Sequence, residues 1–397
     1  MLPERRPEVA DVFRSYGPRF LETHGSSLSG DQRKVLRDLS RCRTAALGGH
    51  KRYYDCGHEE ISYNSCRNRH CPKCQASSRA EWLEKEAKHL LDVPYFHVVF
   101  TLPEELGPLA LQNKRAIYGA LFRAAAETLS TIARDPKHLG AEIGFLMVLH
   151  TWGQNLHHHP HVHCVVPGGG ISPDGSRWIP CTPGFFLPVR VLSRLFRGKF
   201  LARLEALRST GTLTLAGRLA SLETPLAWQA LIAALRKSEW VVYSKPPFGG
   251  AQQVLKYLAR YTHRVAISNQ RILSIADGKV RFRWKDYAHG SKHRVMELEA
   301  GEFIRRFLLH VIPRGFVRIR HFGFLANRGR REKLELARNL VAQRADASPP
   351  SPAAPPDLLA SIGVDGGAAL CPKCKKGRLV FVEDIAPLDA SDSPDTS

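Results

Sequence analysis

The chain has 397 residues, with 58 Lys and Arg against 37 Asp and Glu and a formal net charge of +21. No stretch approaches the ~18 consecutive apolar residues of a transmembrane helix, and the N-terminus lacks the apolar core of a secretion signal, which argues against membrane-spanning and secreted proteins. We therefore expect a reduced, cytoplasmic protein whose nine cysteines are metal ligands or buried thiols rather than disulfides.

The positive charge is concentrated in the body of the chain. From residue 346 onward, eight acidic side chains stand against four basic ones, a net charge of −4, so the preceding residues carry +25. A body this basic predicts a polyanionic partner and is typical of proteins that bind nucleic acid.

Residues 1–91 are predicted to form a helical and zinc-binding N-terminal domain. Apolar residues at helical spacing predict helices within residues 1–40. The segment that follows holds five cysteines, and its Cys71-Pro-Lys-Cys74 turn has the form of a zinc knuckle. The predicted ligands of a structural Zn²⁺ are Cys56, Cys66, Cys71 and Cys74. The alternatives in the same segment are Cys42, His50 and His70.

Residues 92–345 are predicted to form an α+β catalytic domain. The predicted strands cover residues 94–101, 143–151, 161–166, 239–244, 279–284 and 316–321. The predicted helices cover residues 75–91 (which lead into this domain), 109–134, 189–207 and 226–237. On the last strand Arg318 and Arg320 share one face, and in so basic a body we interpret that face as DNA-binding, with a merely solvated face as the alternative.

A histidine-rich stretch, residues 149–170, contains six of the 18 histidines. His161 and His163 are separated by one residue on a predicted strand, so both project from one face while Val162 and Cys164 face the other. Two imidazoles on one rigid strand form half of a metal site. A polar loop leading into a strand is the alternative, but burying unpartnered imidazoles is costly, which favours a metal. The strand is predicted to form a hairpin with residues 143–151.

Residues 252–264 predict a helix in which Tyr257 and Tyr261 lie four positions apart, on one face. Its basic residues form a parallel row: Lys256, Arg260 and Arg264. The tyrosines could be ordinary amphipathic packing residues. Combined with a metal on the histidine strand, however, a phenol beside cations is suited to attack on a phosphodiester, which leaves tyrosine linked to a 5′-phosphate.

The C-terminal segment, residues 346–397, is predicted to be a flexible Pro-rich linker and an acidic tail. It contains a lone Cys371-Pro-Lys-Cys374 knuckle. Two cysteines cannot complete a tetrahedral site without partners, so the knuckle is either part of a second zinc site or a half-site that is completed by another chain or by none.

The segments YNSCRNRHCPKCQ, HPHVHCVVPGGG and YLARYTHRVAIS together resemble the HUH single-strand endonucleases, specifically the two-tyrosine rolling-circle transposases of bacterial insertion sequences, which are relatives of the Helitrons. The resemblance covers roughly residues 41–330. Tyr53 departs from it, because a knuckle cysteine is expected there, and this affects the zinc ligand set rather than the catalytic core.

The resemblance implies an HUH core, with an antiparallel sheet carrying the histidines and a neighbouring helix carrying Tyr257 and Tyr261. It also implies Mg²⁺ or Mn²⁺ as the catalytic ion, single-stranded DNA of transposon ends and target as the substrate, a possible homo-oligomer, and association with the nucleoid. For the third metal ligand, His159 is the first candidate and Gln154 the second. A plasmid replication initiator or relaxase with the same chemistry, and a zinc-finger DNA-binding protein without catalysis, remain alternatives.

Overall fold

The computed structural model describes residues 6–184, 186–248, 253–254, 265–286, 290, 292–345 and 370–388. The chain divides into two compact units. The first takes its described residues from the ranges 6–80, 265–311 and 370–388, and the second from 81–254 and 312–345. The first unit is therefore assembled from three separate parts of the chain, whereas the sequence predicted boundaries at residues 91 and 345.

The helices and strands are numbered in chain order. The α-helices are α1 (Val9–His24), α2 (Gly30–Arg41), α3 (Pro72–Ala87), α4 (Gly107–Gln112), α5 (Lys114–Arg134), α6 (Val189–Ser209), α7 (Pro225–Lys237), α8 (Ala300–Leu309) and α9 (Arg330–Ala345). The strands are β1 (Gly49–Tyr54), β2 (Glu59–Tyr63), β3 (Tyr95–Thr101), β4 (Gly144–Trp152), β5 (His158–Pro167), β6 (Gly169–Ile171), β7 (Trp178–Pro180), β8 (Val242–Phe248), β9 (Ile272–Ala276), β10 (Lys279–Asp286), β11 (Lys292–Glu299), β12 (Ile319–Gly323) and β13 (Leu379–Ile385).

The first unit combines helices with two small antiparallel sheets, ordered β13-β1-β2 and β11-β10-β9. Helix α2 begins with a capping box, in which Ser29 and Gln32 satisfy each other's backbone N–H groups. Helices α1 and α8 meet through an edge-to-face contact between Phe13 and Phe307, whose ring centroids lie 5.1 Å apart. The sequence did not predict β13, which pairs with β1 from the far end of the chain.

The second unit is built on a five-stranded antiparallel sheet ordered β12-β4-β5-β3-β8. One face carries the main apolar core, in which Val162 and Cys164 of β5 lie with residues of α5 and α6. The other face carries a smaller cluster that includes Val148 of β4, Val165 of β5 and Val254. Strand β4 is buried along its whole length because both faces of the sheet are covered.

The observed architecture confirms the predicted α+β class and the predicted hairpin, since β4 and β5 are antiparallel neighbours. The helix predicted over residues 109–134 is divided at Asn113 into α4 and α5. The Asn113 side chain there donates to the carbonyl of Thr214 and accepts from its N–H, which explains the interruption. Within the described part of the chain, no helix combines the length and apolarity needed to cross a membrane.

Candidate metal centres

Three histidines converge on one face of the five-stranded sheet. His150 of β4 pairs directly across from His161 of β5, and Val148 pairs with His163. Each of the three imidazoles offers a ring nitrogen within 4.8 Å of the other two. His150 and His163 are buried and His161 is half-buried. Three neutral imidazoles at this spacing are a suitable donor set for a divalent transition-metal ion.

Hydrogen bonds outside this histidine cluster orient two of the three rings. Nδ1 of His163 lies 2.9 Å from Nε2 of His97, and the two rings are stacked. Nδ1 of His161 lies 2.6 Å from the carbonyl oxygen of His159. Both contacts use Nδ1, so Nε2 is the atom that each ring would offer to a metal, the arrangement by which second-sphere partners set a ligand's tautomer. Burial, with a smaller effect of the Lys245 charge, lowers the pKa of His97 to about 3, so His97 is neutral at physiological pH.

The structure brings His161 and His163 together as the sequence pattern predicts, and it supplies His150 as the third member. His159, the first candidate, is exposed and contributes its carbonyl rather than its ring to this cluster. Gln154, the second candidate, lies in the turn between β4 and β5. Sequence reasoning missed His150 because its position depends on the register of the hairpin, which a sequence pattern does not fix.

Four thiols form a separate cluster in the first unit. The sulfur of Cys74 lies 3.7 Å from that of Cys42 and 3.6 Å from that of Cys66. The sulfur of Cys71 lies 3.6 Å from that of Cys42. A tetrahedral zinc ion with Zn–S distances of about 2.3 Å holds its sulfurs about 3.8 Å apart. Hydrogen bonds from the other three thiols lower the pKa of Cys74, so the cluster favours a thiolate. These residues therefore fit a structural zinc ion.

The predicted zinc set requires one correction, because Cys42 takes the place expected for Cys56. Cys42 is buried at the C-terminal end of α2, and its sulfur lies 3.7 Å from that of Cys74. Cys56 lies in the exposed turn between β1 and β2, and its sulfur is grouped with those of Cys371 and Cys374 instead. The sequence had already offered Cys42 as an alternative ligand. What distinguishes it from Cys56 is its position in the folded chain, which the spacing of the cysteines does not reveal.

The predicted tyrosine helix lies largely outside the described residues. Nothing is therefore said of the structure at its functional candidates, which are Lys256, Tyr257, Arg260, Tyr261 and Arg264. Residues 253 and 254 are described and helical. Val254 is fully buried and belongs to the cluster formed with Val148 and Val165, which lie beside the clustered histidines on the same face of the sheet.

The basic face predicted at Arg318 and Arg320 differs from the expectation. Arg318 is only 8% exposed while Val317 is 58% exposed, the reverse of a solvent-facing basic strand. The guanidinium of Arg320 lies 4.3 Å from the ring centroid of Phe122 and donates to the carbonyl of Val317. The reason is that β12 begins only at Ile319, and residues 316–318, which come after the turn at residues 314–315, do not belong to the predicted strand.

Comparisons with known proteins identify two matching regions of the chain. A family model described as a putative transposase matches residues 144–333, and one described as a transposase zinc-binding domain matches residues 12–102. The chain is 57% identical over 380 residues to "Putative transposase y4qJ" of Sinorhizobium fredii, covering 95% of each protein. It is 32% identical over 302 residues to the "Transposase for insertion sequence element IS801" of Pseudomonas savastanoi pv. phaseolicola, covering 74% of this chain and 70% of that protein.

No solved structure gives a significant match. The zinc-binding match includes all four clustered cysteines, and the putative-transposase match includes all three clustered histidines. The chain therefore belongs to the family of two-tyrosine insertion-sequence transposases that carry an N-terminal zinc-binding domain.

Proposed function

We propose that this transposase nicks and joins single-stranded DNA at transposon ends through a 5′-phosphotyrosine intermediate, and thereby drives rolling-circle transposition. The proposed nucleophiles are Tyr257 and Tyr261. The proposed ligands of the catalytic ion are His150, His161 and His163. The observation that carries the proposal is the convergence of these three imidazoles on one face of the sheet.

The position of Val254 supports placing the tyrosines near these ligands. Its side chain packs beside Val148 and Val165, which lie two residues from His150 and His163 on the same strands. Tyr257 follows Val254 by three residues, about one helical turn in the predicted helix. A helix that starts on this face of the sheet is suitably placed to direct a phenol toward a phosphate bound there.

In the proposed reaction the phenolic oxygen of one tyrosine attacks phosphorus. The bond from phosphorus to the 3′-oxygen breaks, and the oxygen leaves as a 3′-hydroxyl after taking up a proton. The new phosphotyrosine bond retains the energy needed for rejoining, and the second tyrosine is available to cleave a second strand. A bound divalent ion would polarise the non-bridging phosphate oxygens and stabilise the charge that develops on them.

Other residues of the chain orient the proposed metal ligands or bind the DNA. His97 holds the ring of His163, and the carbonyl of His159 holds the ring of His161, so both ligands are fixed before DNA arrives. We propose that the basic row beside the tyrosines binds the DNA backbone. That row consists of Lys256, Arg260 and Arg264. The contribution of this row to DNA affinity should weaken as the salt concentration rises, because binding to DNA phosphates releases counterions.

The ligand chemistry bears on which ion is used. Imidazole nitrogen suits transition metals, whereas Mg²⁺ prefers oxygen ligands. An all-histidine set therefore favours Mn²⁺ over Mg²⁺. We expect DNA cleavage to reach its half-maximal rate at a lower concentration of Mn²⁺ than of Mg²⁺.

The test is formation of a covalent adduct between the full-length protein and a labelled single-stranded transposon end in Mn²⁺. The adduct should survive denaturation in the wild type and should disappear in the Tyr257→Phe/Tyr261→Phe double variant. His150→Ala should lower the rate of adduct formation by ~100-fold or more, on the scale that lost ligand positioning or general catalysis produces.

Matched controls are Tyr63→Phe, a partly exposed tyrosine of β2, and His138→Ala, an exposed histidine outside the histidine cluster. Both should form the adduct at the wild-type rate. Adduct formation by the double tyrosine variant at the wild-type level would refute the nucleophile assignment. DNA binding with no adduct under any metal condition would favour a DNA-binding protein without catalysis.

A further inference from the structure

We propose a second zinc site, formed by Cys56, Cys371 and Cys374, that fastens the C-terminal strand β13 to the N-terminal hairpin β1–β2. The three sulfur atoms lie within 4.8 Å of one another. Cys56 lies in the turn of the hairpin, and the other two cysteines lie in the turn that precedes β13. The site thus joins parts of the chain separated by more than 300 residues, as does the nearby hydrogen bond from Arg378 N–H to Asp55 Oδ1.

The backbone around Cys371 and Cys374 has the features of a metal knuckle. The N–H of Gly377 donates to the sulfur of Cys374 over 3.2 Å, a bond that favours the thiolate. The N–H of Lys375 donates to the carbonyl of Cys371, and Lys375 has a φ of 61°. A tight turn of this kind directs two thiols spaced by two residues to the same point, as a shared metal ion requires.

Gly377 also allows the third thiol to approach. A Cβ atom at this position would lie 2.6 Å from the sulfur of Cys56, closer than any real contact. The turn can therefore receive Cys56 only because residue 377 has no side chain. Since the φ of Gly377 is outside the left-handed region, the restriction comes from this contact and not from backbone strain.

The exposure of β13 explains why a metal is needed there. Val380 is 68% exposed, Phe381 58% and Val382 41%, so apolar burial does little to hold this edge strand. Its side-chain contacts with β1, such as the ion pair of His50 with Asp384, are exposed and therefore weak. Without a metal, the three thiols would add little to the stability of this attachment, because S–H is a poor hydrogen-bond donor. A shared ion would reinforce the backbone pairing of β13 with β1.

Thiolate ligands select zinc among the common divalent ions. Cys56 and Cys374 are exposed while Cys371 is buried, so the fourth position of a tetrahedral ion faces solvent. The site is expected to hold zinc through three protein thiolates and a water molecule. It should lose zinc to a chelator before the four-thiol cluster, which is largely buried.

The experiment counts zinc in the full-length protein by mass spectrometry, in a His150→Ala/His163→Ala background that removes the imidazole site. The parent should hold two zinc ions per chain. Cys374→Ser should hold one, and Gly377→Ala, which keeps every thiol, should also lose the second ion. In both variants the amides of β1 and β13 should exchange with deuterium at least tenfold faster, while those of α3 near Cys74 should be unchanged.

The controls are Cys181→Ser, a cysteine outside both thiol clusters, and Gly30→Ala, a glycine with no atom near its added Cβ. Both should retain two zinc ions. Equal zinc in Cys374→Ser and the parent would overturn the proposal. So would loss of zinc in Cys56→Ser without loss in Cys374→Ser, because Cys56 would then serve the four-thiol cluster. Zinc loss with unchanged exchange at β1 and β13 would refute the fastening role.

Discussion

In the second unit the candidate metal ligands project from two central strands of a five-stranded sheet, whereas in the first unit they come from helix ends and turns. The second unit also has the main apolar core, with Phe100, Phe122 and Phe196 fully buried. Under the proposed function, this difference corresponds to two uses of metal. In the second unit the fold positions the ligands, and in the first unit the metal is expected to hold the fold together.

The largest effect is expected from Cys71→Ser in the four-thiol cluster. Zinc binding contributes about 10–16 kcal/mol to folding in small zinc modules, so loss of one of four thiolates should release the ion and unfold its surroundings. Zinc content should fall by one ion per chain, and amide exchange should rise around residues 66–74. Cys181→Ser should change neither quantity. A rise in exchange across the five-stranded sheet as well would break the comparison, because both units would then depend on one metal.

The next effect concerns the apolar core. Phe196 is fully buried and its ring contacts those of Phe100 and Trp240, with centroids 5.0 and 5.4 Å away. Phe196→Ala should lower the free energy of unfolding by about 3–5 kcal/mol, measured by denaturant titration, because it leaves a cavity. Zinc content should stay at the wild-type value, and Phe196→Leu should cost less. Zinc loss in the folded alanine variant would show that the core and the thiol clusters are not independent.

The smallest effect comes from an ion-pair group in the first unit that involves no metal. Hydrogen bonds from Arg305, together with one from Arg306, lower the pKa of Glu302 to about 2. Burial acts in the opposite direction, but its effect on the pKa is smaller. Since this pKa lies below the ordinary 4.5, the carboxylate stabilises the folded state above pH 4.5, and this contribution is lost as the pH falls toward 2.

Glu302→Gln should therefore lower stability near neutral pH by less than about 1 kcal/mol, since the group is partly exposed to solvent. Urea midpoints of the wild type and the variant should converge as the pH falls from 5 to 3. Zinc content measured at each pH serves as the control, because protonation of thiolates is a separate cause of acid unfolding. A constant difference between the two midpoints would rule out Glu302 as the titrating group.

Local patterns in the sequence were sufficient for much of the site. Alternation along one strand placed His161 and His163 on a common face, and two cysteines spaced by two residues marked the knuckle at Cys71 and Cys74. These features depend only on the geometry of a strand or a turn. The same is true of the predicted hairpin and of most helices.

The parts that sequence reasoning missed all depend on contacts between distant residues. His150 joins the histidines through hairpin register, and Cys42 replaces Cys56 through the path that follows α2. Strand β13 pairs with β1 across most of the chain, and its short apolar run Leu379–Val382 gives no periodic signal beside an acidic tail. At Arg318 the difference has another origin. The predicted strand included residues 316–318, but β12 begins only at Ile319, so the alternation of exposed and buried side chains does not apply to Arg318.

The interior place of β4 and β5 in the sheet has a consequence for the proposed successive strand cleavages. Each of these strands is hydrogen-bonded to neighbours on both of its sides, so moving His150 relative to His161 would require breaking sheet pairing along several residues. The face that carries the three clustered histidines is thus held in place within the sheet. In the proposed reaction, any exchange of one DNA end for another would therefore be carried out by segments outside these two strands, while the histidine cluster stays in place.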